Sequence, residues 1–261
     1  MSQYSHSNFD YVSRLFLRGL GLVYLIAFSS LWVQLYSLFS SRGISPINET
    51  LSRLSAEYGL WGFFKAPSIF WFIDTNSALL MTCVAGMIFS AWVAFGLFQR
   101  IYLIISWIAY LSFVTLGAPF LSFQWDYLLL EISFLTLCLS ALGTRSLTVW
   151  LYRLLLIRLM LSSGLVKLYS GDYSWWNLTA LDYHYFTQPL PHYVSWLVHQ
   201  LPAWFQSLSV LIMFIIELVF PFFILLSNRL RYIGVYGIVG LMICIMLTGN
   251  YGFFNILVIF I

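Results

Sequence analysis

Residues 15–39 contain a single charged side chain, Arg18, and comparably apolar runs recur at 77–98, 101–118, 125–143, 147–169, 207–227 and 232–249. Runs of this length constrain a fold more than any motif. In a lipid interior the backbone N–H and C=O groups have no water to bond, so a spanning segment must satisfy them within itself as a helix of about 20 residues. Only 8% of the 261 residues are charged while 61% are hydrophobic, against roughly 25% charged in soluble domains. The sequence therefore predicts an all-α, polytopic transmembrane helix bundle with about seven to eight spans, forming one membrane domain over 1–261. The final run, 251–261, is too short to cross alone at ~1.5 Å per residue and counts as a partial span. Between the first two spans, "GLWGFFKAPSIFWF" (Gly59 to Phe72) has the aromatic content, the lysine and the proline of an interfacial or re-entrant segment.

The N-terminus is polar to Ser13 and shows no cleavable leader, so the first span is expected to remain as an anchor. Cys83, Cys138 and Cys244 all fall within expected spans, where thiols act as small packing residues. Orientation is read from the basic residues of the short loops. A cytoplasmic N-terminus puts Arg14, Arg18, Arg100, Arg145, Arg229 and Arg231 inside, and only Arg42, Arg53 and Lys65 outside. The connection 170–206 then faces outward. It holds no lysine or arginine, and it is dense in tryptophan and tyrosine.

Those rings have an apolar body and a polar tip, which suits the headgroup level of a membrane or a contact with another protein. Trp175, Trp176, Tyr183, Tyr185 and Trp196 are the candidate client-binding side chains. "SWLVHQLPAWF" (Ser195 to Phe205) reads as an amphipathic run lying on the surface. The sequons at Asn48 and Asn177 also fall on the outer side under this topology.

Charges within spans cost roughly 2.5–3.5 kcal/mol each on insertion scales, so each needs a partner or a task. Arg158 and Glu217 lie at matching depths below the presumed outer ends of their helices and are the expected structural ion pair. Glu131, nearer the outer end of its span, is within reach of Arg158 or Lys167. A second arrangement gathers Lys167, Glu131, Asp172, Asp182 and His184 around an outward cavity, with Lys167 as a base. His184, His192 and His199 are not spaced as metal ligands, so no metal is expected, and no phosphate loop or basic patch points to a cofactor or to nucleic acid. Membrane lipid and a client protein are the partners expected.

Four blocks carry a family resemblance: "FLSFQWDYLLLE" (Phe120 to Glu131), "RLMLSSGLVKLYSGDYSWWNLTALDYHYFTQPLP" (Arg158 to Pro191), "WLVHQLPAWF" (Trp196 to Phe205) and "LTGNYGFFN" (Leu247 to Asn255). With "YLIAFSSLWVQLYSLFSSRGISP" (Tyr24 to Pro46), they resemble the signature segments of the lipase maturation factors. The resemblance implies a multi-pass protein that assists maturation of secreted or membrane clients, lipases among them, from the endoplasmic reticulum membrane in a eukaryote or the inner membrane in a bacterium. A more distant similarity to the membrane domain of vitamin K-dependent γ-carboxylase implies the alternative, an integral-membrane enzyme acting on a lipid, quinone or peptide with Lys167 as base.

Overall fold

In a computed structural model, the backbone is described for residues 2–142 and 145–261, and side chains for 11–138 and 146–261. Contacts divide the chain into two compact units, Met1–Gly143 and Thr144–Ile261.

The first unit holds α1 (Ser2–Phe39), α2 (Ile47–Tyr58), α3 (Gly62–Lys65), α4 (Asn76–Phe95), α5 (Gln99–Leu116) and α6 (Gln124–Leu142). Its long helices begin and end where local chemistry demands. Thr75 caps α4 by accepting from the Ala78 N–H at 3.2 Å. Gly96, at φ +90°, stops it after Phe95, three residues short of the expected end, because the left-handed turn lets the Leu97 N–H bond the Trp92 carbonyl at 2.9 Å. The core is aromatic. Tyr110 meets Tyr24 and Phe28 edge-on at 5.6 and 5.4 Å, an arrangement that suits the ring quadrupoles. Asp126, buried at the start of α6, accepts from the Tyr110 hydroxyl at 2.5 Å and from the Phe123 N–H at 3.2 Å, so its carboxylate lies among donors and not against hydrocarbon.

The segment expected at the interface is fastened by the short inward stretch Ala66 to Phe70. Phe70 packs against Phe113 of α5 at 5.0 Å. The Ser68 hydroxyl donates to the Ser112 carbonyl at 3.2 Å, and Ser112 in turn accepts from the Ile69 N–H at 3.1 Å. Around that anchor Leu60, Trp61, Phe64 and Phe72 stand exposed, and no helix between Gly59 and Phe72 is longer than four residues.

The second unit holds α7 (Arg145–Tyr169), α8 (Tyr173–Trp176), α9 (Ala180–Thr187), α10 (Tyr193–His199), α11 (Ala203–Leu218), α12 (Phe220–Phe223), α13 (Asn228–Thr248) and α14 (Phe254–Phe260). The aromatic connection is thus three short helices. It does not contain the continuous surface helix expected over Ser195–Phe205. α10 ends at His199, and Pro202, which has no N–H to give to a preceding turn, opens α11. The expected span 207–227 is likewise jointed: Pro221 breaks the backbone ladder, and α12 begins after Val219.

Among the described residues six helices are long and apolar enough to cross a membrane: Tyr11–Phe39, Asn76–Phe95, Gln99–Leu116, Ser146–Tyr169, Ala203–Phe223 and Asn228–Thr248. This is a polytopic helical bundle with fewer spans than the seven to eight expected. α6 has span length at 19 residues, but the end of the expected span 125–143 lies outside the described residues. α14, with seven residues, is too short to cross.

Candidate functional site

The second unit gathers most of the chemistry at the place where the last turn of α7 meets the last turn of α11. Gly164 makes that meeting possible. A Cβ there would come within 2.5 Å of the Leu218 side chain and 3.3 Å of the Glu217 Cβ, so only glycine admits the neighbouring helix so closely. The close approach brings the Lys167 ammonium within 2.7 Å of both Glu217 carboxylate oxygens. Lys167 also donates to the Ser163 carbonyl at 3.0 Å and hydroxyl at 3.2 Å, while that hydroxyl donates to Glu217 at 3.1 Å. Glu217 is 2% exposed and Lys167 19%. A buried carboxylate with this many donors is compensated, which is the condition for keeping a charge inside a bundle.

The expected pairing is corrected here: Glu217 is held by Lys167, and Arg158 lies nine residues, or ~13.5 Å, back along α7. Matching depths assumed that the two helices start level at one membrane face. They do not, because α8, α9 and α10 occupy height beside α11. Gln206 of α11 donates to the Val198 carbonyl at 2.7 Å, and Phe214 meets Trp175 edge-on at 6.2 Å. Glu217 is the fifteenth residue of its helix and Lys167 the third from the end of its own.

Around the pair stand several aromatic and polar groups. Trp175 is half-buried, with the Lys167 ammonium 5.7 Å from its ring centre. His184 of α9 is half-buried, its Nε2 3.0 Å from the Tyr251 hydroxyl, the direction of donation following the imidazole tautomer. The two rings stack with an interplanar angle of 14°. Burial first, and the positive charge of Lys167 second, hold the His184 imidazole below its ordinary range, so the site favours the neutral ring. Gln188, buried, donates to the Thr248 carbonyl at 2.9 Å and the Tyr185 carbonyl at 3.2 Å, tying α9 to the end of α13.

Within the second unit, the remaining sequence candidates take other places. Asp172 is exposed and caps α8, accepting from the Ser174 N–H at 2.9 Å; that bond lowers its pKa, and the carboxylate does not join the Lys167 cluster. Asp182 is half-buried in the first turn of α9. Glu131 is a half-buried residue of α6 in the first unit. Tyr185, grouped from sequence with the contact aromatics, is only 7% exposed; it packs inward and supports the surface without presenting itself. Tyr183, Trp176 and Trp196 are exposed, and Trp196 stacks on Tyr193 at 6.1 Å.

Sequence reasoning missed Ser163, Gln188 and Tyr251 as parts of this site. The signal for Tyr251 lies in the "LTGNYGFFN" block itself, which sets a tyrosine between Asn250 and Gly252. Among the described residues no three His, Cys, Asp or Glu side chains form a group able to hold a metal.

Six apolar spans and a compensated internal ion pair define a multi-pass membrane protein. Residues 11–261 match the family described as the lipase maturation factor transmembrane domain, and the chain belongs to that family. It is 41% identical over 264 residues to lipase maturation factor 2 of Xenopus tropicalis, covering 94% of this chain and 37% of the relative. It is 38% identical to the Homo sapiens lipase maturation factor 2, over 94% of this chain and 38% of that one. To lipase maturation factor 1 of Mus musculus it is 32% identical, over 93% of this chain and 45% of the relative. The chain thus spans less than half the length of these relatives. No solved structure matches it.

Proposed function

We propose that this chain is the membrane part of a factor that assists maturation of client proteins, secreted lipases first among them, and that the α8–α10 connection receives the client. The observation that carries this reading, beside the family, is the division of labour within the connection. Trp175 lies against Lys167, Tyr185 is buried and Gln188 bonds the Thr248 carbonyl, while Tyr173, Trp176, Tyr183, Tyr193 and Trp196 remain exposed on one continuous stretch of chain. Exposed tryptophan and tyrosine held on a rigid base are the side chains that dominate protein contacts.

The connection faces the endoplasmic reticulum lumen and the N-terminus the cytoplasm, a reading supported by the excess of arginine in the loops on the N-terminal side. The enzymatic alternative is weakened by the geometry of its base. The Lys167 Nζ is directed at Glu217 and Ser163, contacts that suit an anchor between α7 and α11.

The test is lipase secretion from cells lacking their own factor and supplied with this protein. Trp176→Ala and Trp196→Ala should each lower secreted lipase activity and lipase co-purification while the membrane protein accumulates normally. Unchanged secretion with both variants would sink the reading. A cysteine placed at Tyr193 should react with an impermeant maleimide only from the lumenal side.

A further inference from the structure

Independently of the client reading, we infer that residues 59–73 form a wedge inserted among the acyl chains of one leaflet, at the end of the bundle where α1 finishes and α4 begins. Lipid is then the partner of this ring surface.

The depth of the segment follows from hydrogen bonds within the first unit. Ser41, just past α1, donates its N–H to the Asn76 side chain at 2.9 Å and accepts from the Asn76 amide at 3.0 Å, while the Ser45 hydroxyl donates to the Ala118 carbonyl, just past α5, at 3.4 Å. The end of α1, the start of α4 and the end of α5 thus share one polar level. From that level the chain turns back along α5. The Thr115 hydroxyl donates to the Pro67 carbonyl at 3.2 Å, the Ile69 N–H donates to the Ser112 hydroxyl, and Phe70 lies on Phe113. Ser112 precedes Leu116, the last residue of α5, by four positions, so the fastening reaches ~6 Å inside the span at ~1.5 Å per residue.

A backbone at that depth must be satisfied without water, and local turns do this here. The Ala66 N–H donates to the Gly62 carbonyl at 2.9 Å, the Phe72 N–H to the Ile69 carbonyl at 3.1 Å, and the Trp71 indole to the Ala66 carbonyl at 2.8 Å. Ala66, Ser68 and Phe70 are buried against the protein.

What the segment shows outward is hydrocarbon. Leu60 is 93% exposed and Phe72 78%. Trp61 meets Phe64 at 5.6 Å, Phe64 meets Phe63 at 5.7 Å and Phe63 meets Phe72 at 6.0 Å, so the limbs 59–65 and 69–73 share one continuous ring surface. The single charge of the segment, Lys65, is led away from it. Its ammonium lies 3.4 Å from the ring centre of Tyr58, the last residue of α2, a helix whose Arg53 and Glu57 are exposed. A lysine with its head turned to polar neighbours is how a cation borders hydrocarbon. A continuous apolar surface fastened below the polar level of the helix ends needs a partner other than water, and the leaflet supplies one to every copy.

The experiment uses the whole chain in phosphatidylcholine nanodiscs, with the exposed thiols removed by Cys138→Ser and Cys244→Ser. Leu60→Cys, Phe72→Cys and, as the aqueous reference, Glu57→Cys are labelled one at a time with an environment-sensitive fluorophore. Ile73→Cys, also exposed, stands in should Phe72→Cys fail to accumulate. Phosphatidylcholine brominated near the glycerol end of its chains should quench the labels at 60 and 72 at least twofold more than the label at 57, and more than lipid brominated near the chain ends does. Aqueous iodide should quench in the reverse order.

Iodide quenching at 60 and 72 equal to that at 57 would overturn the inference, because the rings would stand in water. So would protection from both quenchers, which would mean that a second copy or another protein covers the surface. Neither outcome bears on Trp176 or Trp196, so the proposed function stands or falls separately.

Discussion

Two aromatic connections in this chain, 59–73 in the first unit and 169–204 in the second, expose similar rings on different foundations. In the first, Phe70, Ser68 and the Ile69 N–H hold α5 through one buried ring and two hydrogen bonds to Ser112, and exposed aromatics extend beyond that grip. In the second, α8 sets Trp175 beside a paired lysine and glutamate, Gln188 ties the end of α9 to α13, and Gln206 ties α10 to α11. Cation placement differs too. Lys65 lies 3.4 Å from the centre of the Tyr58 ring, so the first connection supplies its own cation, whereas 170–206 has none. The difference teaches that aromatic density alone does not mark a recognition surface. A surface that must present rings to a partner needs a base that holds them, and charge that the partner can answer.

The largest expected effect tests that base. Glu217→Ala leaves the Lys167 ammonium without its carboxylate in a nearly dry site, which should cost about 3–5 kcal/mol. The loss should be read as a lowered thermal midpoint in detergent, and Lys167→Met combined with Glu217→Leu should recover most of it. Of similar size is Phe70→Ala, at about 3–5 kcal/mol for a fully buried ring, while Phe72→Ala beside it should stay within about 0.5 kcal/mol because its ring is exposed. Equal effects from Phe70 and Phe72 would break the account in which a buried stretch at Phe70 anchors the first connection.

A smaller effect is expected from Gly164→Leu. Overpacking where α7 meets Leu218 should cost about 1–3 kcal/mol and, by spreading the helices, should cut lipase secretion more than Phe70→Ala does at matched protein abundance.

The smallest effect is on pH dependence. Burial and Lys167 lower the His184 pKa in the folded state, so the unfolded chain takes up this proton more readily, near its ordinary value of 6.5. The stability this group contributes is therefore complete above about pH 6.5 and is lost as pH falls through the lower folded value. A thermal-midpoint series from pH 8 to 5 should decline at its acid end, and His184→Gln should flatten that part of the decline. An unaltered slope in His184→Gln would place the acid sensitivity elsewhere.

Much of this was legible in the residues. The span-length continuous apolar runs called for an all-helical membrane bundle, since a barrel strand crosses in about ten residues of alternating character, and the ordered blocks from Phe120 to Asn255 pointed to the family that the match over 11–261 shows. The prolines and glycines that punctuate the helices were visible, though their consequences at Pro202 and Pro221 became clear only with the breaks between α10, α11 and α12. The partner of Glu217 was not legible. Spacing along one helix measures rise per residue, but the relative height of two helices depends on what the chain between them does, and α8–α10 shift α11 past the end of α7. For the same reason composition marked Tyr185 and Trp176 as equals, and only packing buried the one and left the other exposed. Sequence by itself determined that the chain must hide its backbone in helices and carry few charges. Tertiary structure decided which charges meet and which rings face outward, because those outcomes depend on side-chain contacts between segments tens of residues apart.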